Sequence, residues 1–195
     1  MLLEPVKKYR CTFLDFSFAE EPWELQEYWA LRKKIFCEEQ GIFQDIDKDS
    51  FDAEAIPIIA SCACMGMQDQ ITGIVRIDER APGVWFGSRL GVAEDYRTIS
   101  RFKAYHLFPM DRSIHPFTIS VGASLIFKAV STANALGCKS FFANVQQQNV
   151  SFFERLHWKS LGTLELHGQI HHRMEADLNF YPPSVFINSL RKSIA

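Results

Sequence analysis

Residues 84–92 read Val-Trp-Phe-Gly-Ser-Arg-Leu-Gly-Val, and residues 120–126 read Ser-Val-Gly-Ala-Ser-Leu-Ile. The first stretch follows Pro82-Gly83, a strong turn signal, and reads as a strand. The second opens a helix whose apolar stripe is Val121, Leu125, Ala129, Thr132 and Leu136, and which Gly137 ends. Its first turn is small and rich in hydroxyls. Free backbone N–H groups and the macrodipole at a helix N-terminus attract phosphate oxygens, and Gly122 lets a ligand approach the backbone closely. Small residues also serve helix-to-sheet packing, so the turn by itself carries both readings.

Toward the N-terminus, Leu25, Tyr28, Trp29, Arg32, Ile35 and Phe36 recur at spacings of three and four, which predicts a helix from Pro22 to Glu39. Pro22 suits its first turn and Gly41 its exit. Arg32 sits on the apolar stripe, either as a snorkelling rim residue or as a cation facing a ligand or an acidic loop. The stretch Asp45-Ile46-Asp47-Lys48-Asp49-Ser50-Phe51-Asp52 lacks the glycine and terminal glutamate of a calcium loop. A solvated turn is the default there, and a patch attracting an amine substrate is the alternative. Ile56–Met65 and Ile71–Asp78, separated by a Gln68-Asp69-Gln70 turn, precede the 84–92 strand as an antiparallel meander.

Thr98–Phe117 shows no clean periodicity and reads as a long excursion, a lid over a site. After the Ser120 helix come a strand at Ser140–Val145, a short helix from Asn149 to Leu156, a hairpin (Leu161–Leu166, a His167-Gly168 turn, His171–Leu178), and a final helix at Ser184–Lys192. A strand-helix-strand unit after an antiparallel meander gives an α/β (α+β) fold, a mixed, mostly antiparallel sheet flanked by helices, in one domain over residues 1–195.

Composition narrows the function classes. Of the 195 residues, 47% are hydrophobic and 23% charged, which suits a globular protein. Seventeen phenylalanines fit a well-filled interior or an apolar substrate channel. A formal net charge of −2 without a basic block speaks against nucleic acid and membrane surfaces as partners. The opening MLLEPVKKYR has no apolar signal-peptide region, and no apolar run spans a bilayer, so a cytoplasmic protein is expected. Five scattered cysteines give neither a disulfide framework nor a metal site. Cys37 and Cys138 have no visible activating partner for a nucleophilic role.

Leu90-Gly91-Val92, then Asp95-Tyr96-Arg97, then Ser120-Val121-Gly122-Ala123-Ser124-Leu125-Ile126 resembles the acetyl-CoA motif of the GNAT N-acetyltransferase superfamily, and Asn149, Phe152, Phe153, Glu154, Arg155, Leu156, His157 and Trp158 resemble its downstream segment. Val145-Gln146-Gln147-Gln148-Asn149-Val150, His167-Gly168 and His171-x-x-Met174-x-Ala176-Asp177-Leu178 are similar to the bacterial nitrogen-starvation N-acetyltransferase subfamily. The resemblance implies acetyl-CoA as co-substrate, no metal, and direct acetyl transfer to the amine of a small molecule in a ternary complex. A homodimer stays open. It also implies cofactor contacts at Leu90, Gly91, Val92, Arg97, Ser120, Val121, Gly122, Ala123, Ser124, Asn149 and Phe153.

The sequence departs from the superfamily pattern at three places. Thr98–Phe117 separates Arg97 from the glycine turn, so Arg101, Lys103 or Arg112 are substitutes for it. Ser88 stands where many members have a glutamate base, and Phe153 where many have an acidic tyrosine. An amine must be neutral to attack and its proton must go somewhere. A histidine near neutrality can take it. His171 and His172 point to opposite strand faces, and the subfamily resemblance favours His171, with Glu79 and Glu94 as fallbacks. Two other readings remain. Arg32-x-x-Ile35-Phe36-x-x-Glu39-Gln40-Gly41, the aspartates at 45, 47, 49 and 52, and Ser88-Arg89-Leu90 resemble parts of acyl-homoserine-lactone synthases, which use an acyl donor and S-adenosylmethionine. The missing acid and base also fit a non-catalytic acyl-CoA-binding regulatory module.

Overall fold

A computed structural model describes residues 11–64, 67–99, 102–105 and 120–184. In chain order these form β1 (Phe13–Phe18), α1 (Pro22–Arg32) continued by a π-helical turn (Lys33–Glu39), a 3-10 turn (Ser50–Ala53), β2 (Ile56–Cys64), β3 (Met67–Ala81), β4 (Val84–Val92), a 3-10 turn (Glu94–Tyr96), β5 (Lys103–Tyr105), α2 (Val121–Ala135), β6 (Ser140–Gln146), a 3-10 turn (Gln147–Asn149), α3 (Val150–Glu154), β7 (Trp158–Leu166) and β8 (Gln169–Ala176). The strands make one sheet in the order β5-β1-β2-β3-β4-β6-β8-β7. Only β1–β5 and β4–β6 are parallel. The expected mixed, mostly antiparallel sheet flanked by helices is what forms.

Each face is closed by one long helix. Val121, Leu125, Ile126, Ala129 and Val130 of α2 pack with Leu14, Phe16, Ile58, Val75, Trp85 and Phe141. Tyr28, Ile35 and Phe36 pack with Ile59, Ile71 and Ile74 on the other face. Two glycines set these distances. A β-carbon at Gly73 would lie 2.8 Å from Leu125 Cδ1, and one at Gly91 2.7 Å from Ile35 Cδ1. Their bare backbones let α2 and the α1 extension settle onto opposite faces.

Four expectations need correction. β1 was not foreseen, although Leu14, Phe16 and Phe18 alternate toward the core. Gln68 and Gln70 pair with Ala63 and Cys62, so the segment read as a turn is strand, its ladder overriding turn propensity. The described part of the 98–117 excursion is no lid: Lys103–Tyr105 pairs beside β1, at the far edge of the sheet from β6. The remainder of that excursion, and the helix expected at Ser184–Lys192 beyond Ser184, lie outside the described residues.

The acidic stretch is not a solvated turn. Arg32, fully buried, donates from Nε to Asp47 Oδ2 at 2.8 Å and from Nη1 to Asp52 Oδ1 at 2.6 Å. Arg76, also buried, donates from both terminal nitrogens to Asp49 at 2.8 and 2.6 Å, and pairs with Asp52 at 2.5 Å. Arg89 Nε reaches Asp47 Oδ2 at 3.0 Å and its Nη2 reaches Asp49 Oδ2 at 3.2 Å. Three guanidinium groups thus meet three carboxylates, and the loop is clamped to α1, β3 and β4.

Burial by itself would raise the Asp52 carboxyl, but hydrogen bonds from Arg32, the Asp49 N–H and Arg76 outweigh it and hold the group at about 2. A carboxyl with a lower pKa folded than unfolded binds fewer protons in the folded state, so stability rises with pH across that window. The contribution is complete above the ordinary aspartate value of about 4 and is lost as pH falls through about 2. Urea denaturation between about pH 5 and about pH 2 is expected to show falling stability. Asp52→Asn is expected to flatten that slope and to cost about 3 kcal/mol at neutral pH by leaving guanidinium charge uncompensated.

Candidate functional site

The parallel pair at the sheet centre is short. β4 and β6 are in register from Val84↔Ser140 to Gly87↔Ala143, and the pairing stops there. β4 stays paired to β3 as far as Val92, and β6 stays paired to β8 as far as Gln146. Ser88–Val92 and Asn144–Gln146 therefore border a gap between strands that adjoin each other below it. A bulge widens it: Ile74 opposes Gly91 and Arg76 opposes Ser88, so β4 carries an extra residue, and Arg89 takes φ 54. Bulges of this kind increase twist and re-aim the bulged strand.

A cleft of about 340 Å³ occupies the gap. On the α2 face it is walled by buried apolar residues, among them Val75, Ile126, Phe141 and Trp158; on the α1 face Phe36, Ile42, Phe51 and Phe86 stand among Asp49, Arg76, Arg80, Ser88, Asn144 and His171.

The N-terminus of α2 stands at the end of β4. Ser120 caps it, its Oγ accepting from the Ala123 N–H at 3.2 Å. The N–H groups of Val121 and Gly122 have no intrahelical acceptor. A β-carbon at Gly122 would meet Val92 Cγ2 at 3.7 Å and Phe152 Cζ at 3.9 Å, ordinary contacts. Packing therefore does not require glycine here. The side chains of Val121, Ala123 and Ser124 are buried, so whatever this turn offers a ligand comes from its backbone.

Of the other residues expected at the site, Leu90, Asn149, Phe153 and His171 line the cleft. Gly91 fills a different role through its missing side chain, admitting Ile35 on the α1 face. Arg97 does not point free: its Nε donates to Val92 O at 2.9 Å and its Nη2 bonds Glu39. That anchors it to the same β4 terminus that Gly122 adjoins. His171 Nδ1 lies 3.0 Å from Gln169 O. A carbonyl only accepts, so in the neutral ring this nitrogen carries the hydrogen and Nε2 the lone pair. His172 is held elsewhere, by Ser160 and Gln147.

The two fallback carboxylates are not brought to the cleft. Glu79 accepts from the Gly83 N–H at 2.6 Å, stapling the β3–β4 turn at the closed end of the parallel pair. Glu94 is exposed in the 3-10 turn beyond β4. Cys37 and Cys138 are buried, and burial pushes both thiols up, Cys138 to about 11, which argues against a thiolate nucleophile. Among the described residues no cluster suited to a metal ion is found, and no helix is long and apolar enough to cross a membrane.

Sequence reasoning missed two polar pairs at the gap. Arg76 Nε donates to Ser88 Oγ at 2.8 Å, and Arg173 Nε to Asn144 Oδ1 at 2.7 Å.

No protein-family model and no curated protein matches the chain. Solved structures do. A candidate N-acetyltransferase from Lactobacillus plantarum superposes with a TM-score of 0.67 at 18% identity, covering 85% of this chain and 99% of that one. An acyl-CoA N-acyltransferase from Pseudomonas aeruginosa gives 0.58 at 15% identity over 84% and 99%. BjaI, a CoA-dependent acyl-homoserine lactone synthase solved with SAM and isopentyl-CoA, gives 0.58 at 14% identity over 89% and 91%. At such identities the likeness is one of fold.

Replacing the cap tests the local account of α2. Ser120→Ala is expected to cost about 1 kcal/mol in chemical denaturation, because one N–H of the first turn loses its acceptor.

Proposed function

We propose that this chain, which has the GNAT N-acyltransferase fold, moves an acyl group from a coenzyme A thioester to the amine of a small molecule. The observation that carries the reading is the parted β4–β6 pair with the first turn of α2 at its open end. A diphosphate fits the free N–H groups of Val121 and Gly122, where the glycine leaves room that packing does not use. The exposed edge of β4 from Leu90 to Val92 offers strand-type hydrogen bonds to the amides of the pantetheine arm. Arg97, Asn149 and Phe153 border the same path.

Backbone N–H groups at the Arg89–Leu90 bulge polarise the thioester carbonyl and stabilise the oxyanion that forms on attack. The neutral amine adds to the carbonyl carbon, and His171 Nε2 takes its proton. The C–S bond then breaks, the carbonyl re-forms, and the imidazolium returns the proton to the thiolate sulfur. No covalent enzyme intermediate is involved, in keeping with the buried cysteines.

A second reading has its own support. Arg32, Arg89, Asp47, Asp49 and Asp52 of the buried cluster belong to the pattern that resembles acyl-homoserine-lactone synthases, and BjaI was solved with SAM and isopentyl-CoA. In that reading the amine belongs to S-adenosylmethionine. Mass spectrometry of reactions supplied with SAM, scored for lactone, distinguishes the two.

Thiol release from acyl-CoA, measured against a panel of amines, is the primary test. His171→Gln is expected to lower kcat by about 10²-fold or more, with CoA affinity by calorimetry unchanged and activity partly recovered at high pH, where the amine deprotonates unaided. Gly122→Glu is expected to abolish CoA binding with the melting temperature retained, since its carboxylate occupies and repels the diphosphate position. Wild-type protein that takes up no CoA in calorimetry would sink the proposal.

A further inference from the structure

We propose that the acceptor amine carries a carboxylate and that Arg80 receives it, so that the substrates are amino acids and the products N-acyl amino acids. The inference rests on the acyl-transfer reading and specifies its acceptor.

Arg80 is the guanidinium with capacity left for a ligand. Arg76 is 1% exposed, and all three of its nitrogens are engaged, by Ser88, Asp49 and Asp52. Arg89 is turned onto Asp47 and Asp49. The Arg80 side chain, by contrast, is 27% exposed and lines the cleft. Its Nε donates to the buried Asp78 at 2.7 Å, and its Cζ lies 3.9 Å from the ring centres of both Phe51 and Phe86. Among the described residues its two terminal nitrogens have no acceptor. The ion pair and the two rings hold the group in place. They leave an end-on fork of N–H donors, the arrangement that bonds both oxygens of one carboxylate.

Charge at the same place favours an anion. The three cluster aspartates are taken by Arg32, Arg76 and Arg89, and Asp78 by Arg80. Arg173 is left over. Its Cζ lies 5.0 Å from the Phe86 ring centre, its Nε donates to the neutral Asn144, and no carboxylate pairs with it among the described residues. One positive charge beside Phe86 is therefore uncompensated. It matches the single negative charge of a carboxylate better than the nearly double charge of a phosphate. An uncharged group seated here would strip water from the Arg80 nitrogens without replacing its hydrogen bonds. Arg173 and His171, opposite Asn144 and Gln146, are alternate residues of β8 and lie about 7 Å apart along it. A carboxylate held at the Phe86 end thus directs the amine toward His171, while the like charge of the arginines disfavours the reversed orientation.

The test uses the intact protein with acetyl- and hexanoyl-CoA. The acceptors are the twenty common amino acids, β-alanine and 4-aminobutyrate, the carboxamide of each, and O-phosphoethanolamine. By thiol release, at least one amino acid is expected to exceed its carboxamide in kcat/KM by about tenfold or more, the worth of charged hydrogen bonds. Arg80→Met is expected to raise KM for that amino acid by about tenfold or more, with the carboxamide unaffected. Should that variant fail to fold, Arg80→Lys keeps a cation beside Asp78 and is expected to lower the same preference, because an ammonium lacks the fork. Carboxamides or O-phosphoethanolamine matching every amino acid, or a preference unchanged in Arg80→Lys, overturn the inference and leave the acyl-transfer reading intact. No turnover with any amine overturns both.

Discussion

The structure depends on one interruption, the end of β4–β6 pairing after Gly87 and Ala143. Each strand stays hydrogen-bonded on its outer side, to β3 and to β8. Neither can bend away to find other partners for its inner edge. Backbone N–H and C=O groups left unpaired inside a sheet are costly unless something else bonds them. The arrangement suits a ligand that itself carries amides along its length. It also explains the position of α2, which must cross from one parallel strand to the next and so begins beside the end of β4 and passes along the gap.

The interruption is held open from the α1 face. Arg89 sits in the left-handed region, where a side-chain-bearing residue costs of order 1–3 kcal/mol. Its hydrogen bonds to the Asp47 carboxylate and, at 2.8 Å, to the Asp47 carbonyl keep it there. Burial and then repulsion from Arg76 lower its pKa. Repulsion within the group has to be met, and Asp47, Asp49 and Asp52 supply one carboxylate for each guanidinium. Buried ion pairs of this kind contribute less to net stability than to a unique geometry. Here the geometry fixed is the register of a loop, two strands and a helix around the bulge.

Much of the fold was readable because the decisive elements obey local rules. Val84–Val92 matches the strand expected there, and Ser120 and Gly137 bracket α2 by cap chemistry that needs no tertiary information. What sequence could not give was long-range. Phe13–Phe18 is a strand because β2 lies next to it, and Gln68–Gln70 avoids a turn because Ala63 and Cys62 pair with it. The acidic stretch looked solvated because the arginines that bury it lie as far away in sequence as Arg32 and Arg89. At the site, His171 follows from strand alternation plus resemblance, whereas the burial of Val121, Ala123 and Ser124, and the packing role of Gly91, required the sheet beneath them.

The same cluster bears on Ser88, the position at which the superfamily that this sequence resembles has a glutamate. Ser88 Oγ receives the Arg76 Nε–H, and Arg76 reaches Asp49 and Asp52 with its other nitrogens. A carboxylate at position 88 would become a further ion-pair partner of Arg76. Its pKa would be held down as that of Asp49 is, where the Arg76 hydrogen bond outweighs the upward effect of burial. A base so stabilised in its charged form accepts an ammonium proton poorly. A serine meets the guanidinium hydrogen bond without adding charge, and the proton acceptor can then lie across the gap on β8. There His171 Nδ1 has the Gln169 carbonyl as its partner. Under the proposed reaction, the cluster that shapes the cleft from β4 leaves the opposite strand as the side from which the proton is drawn.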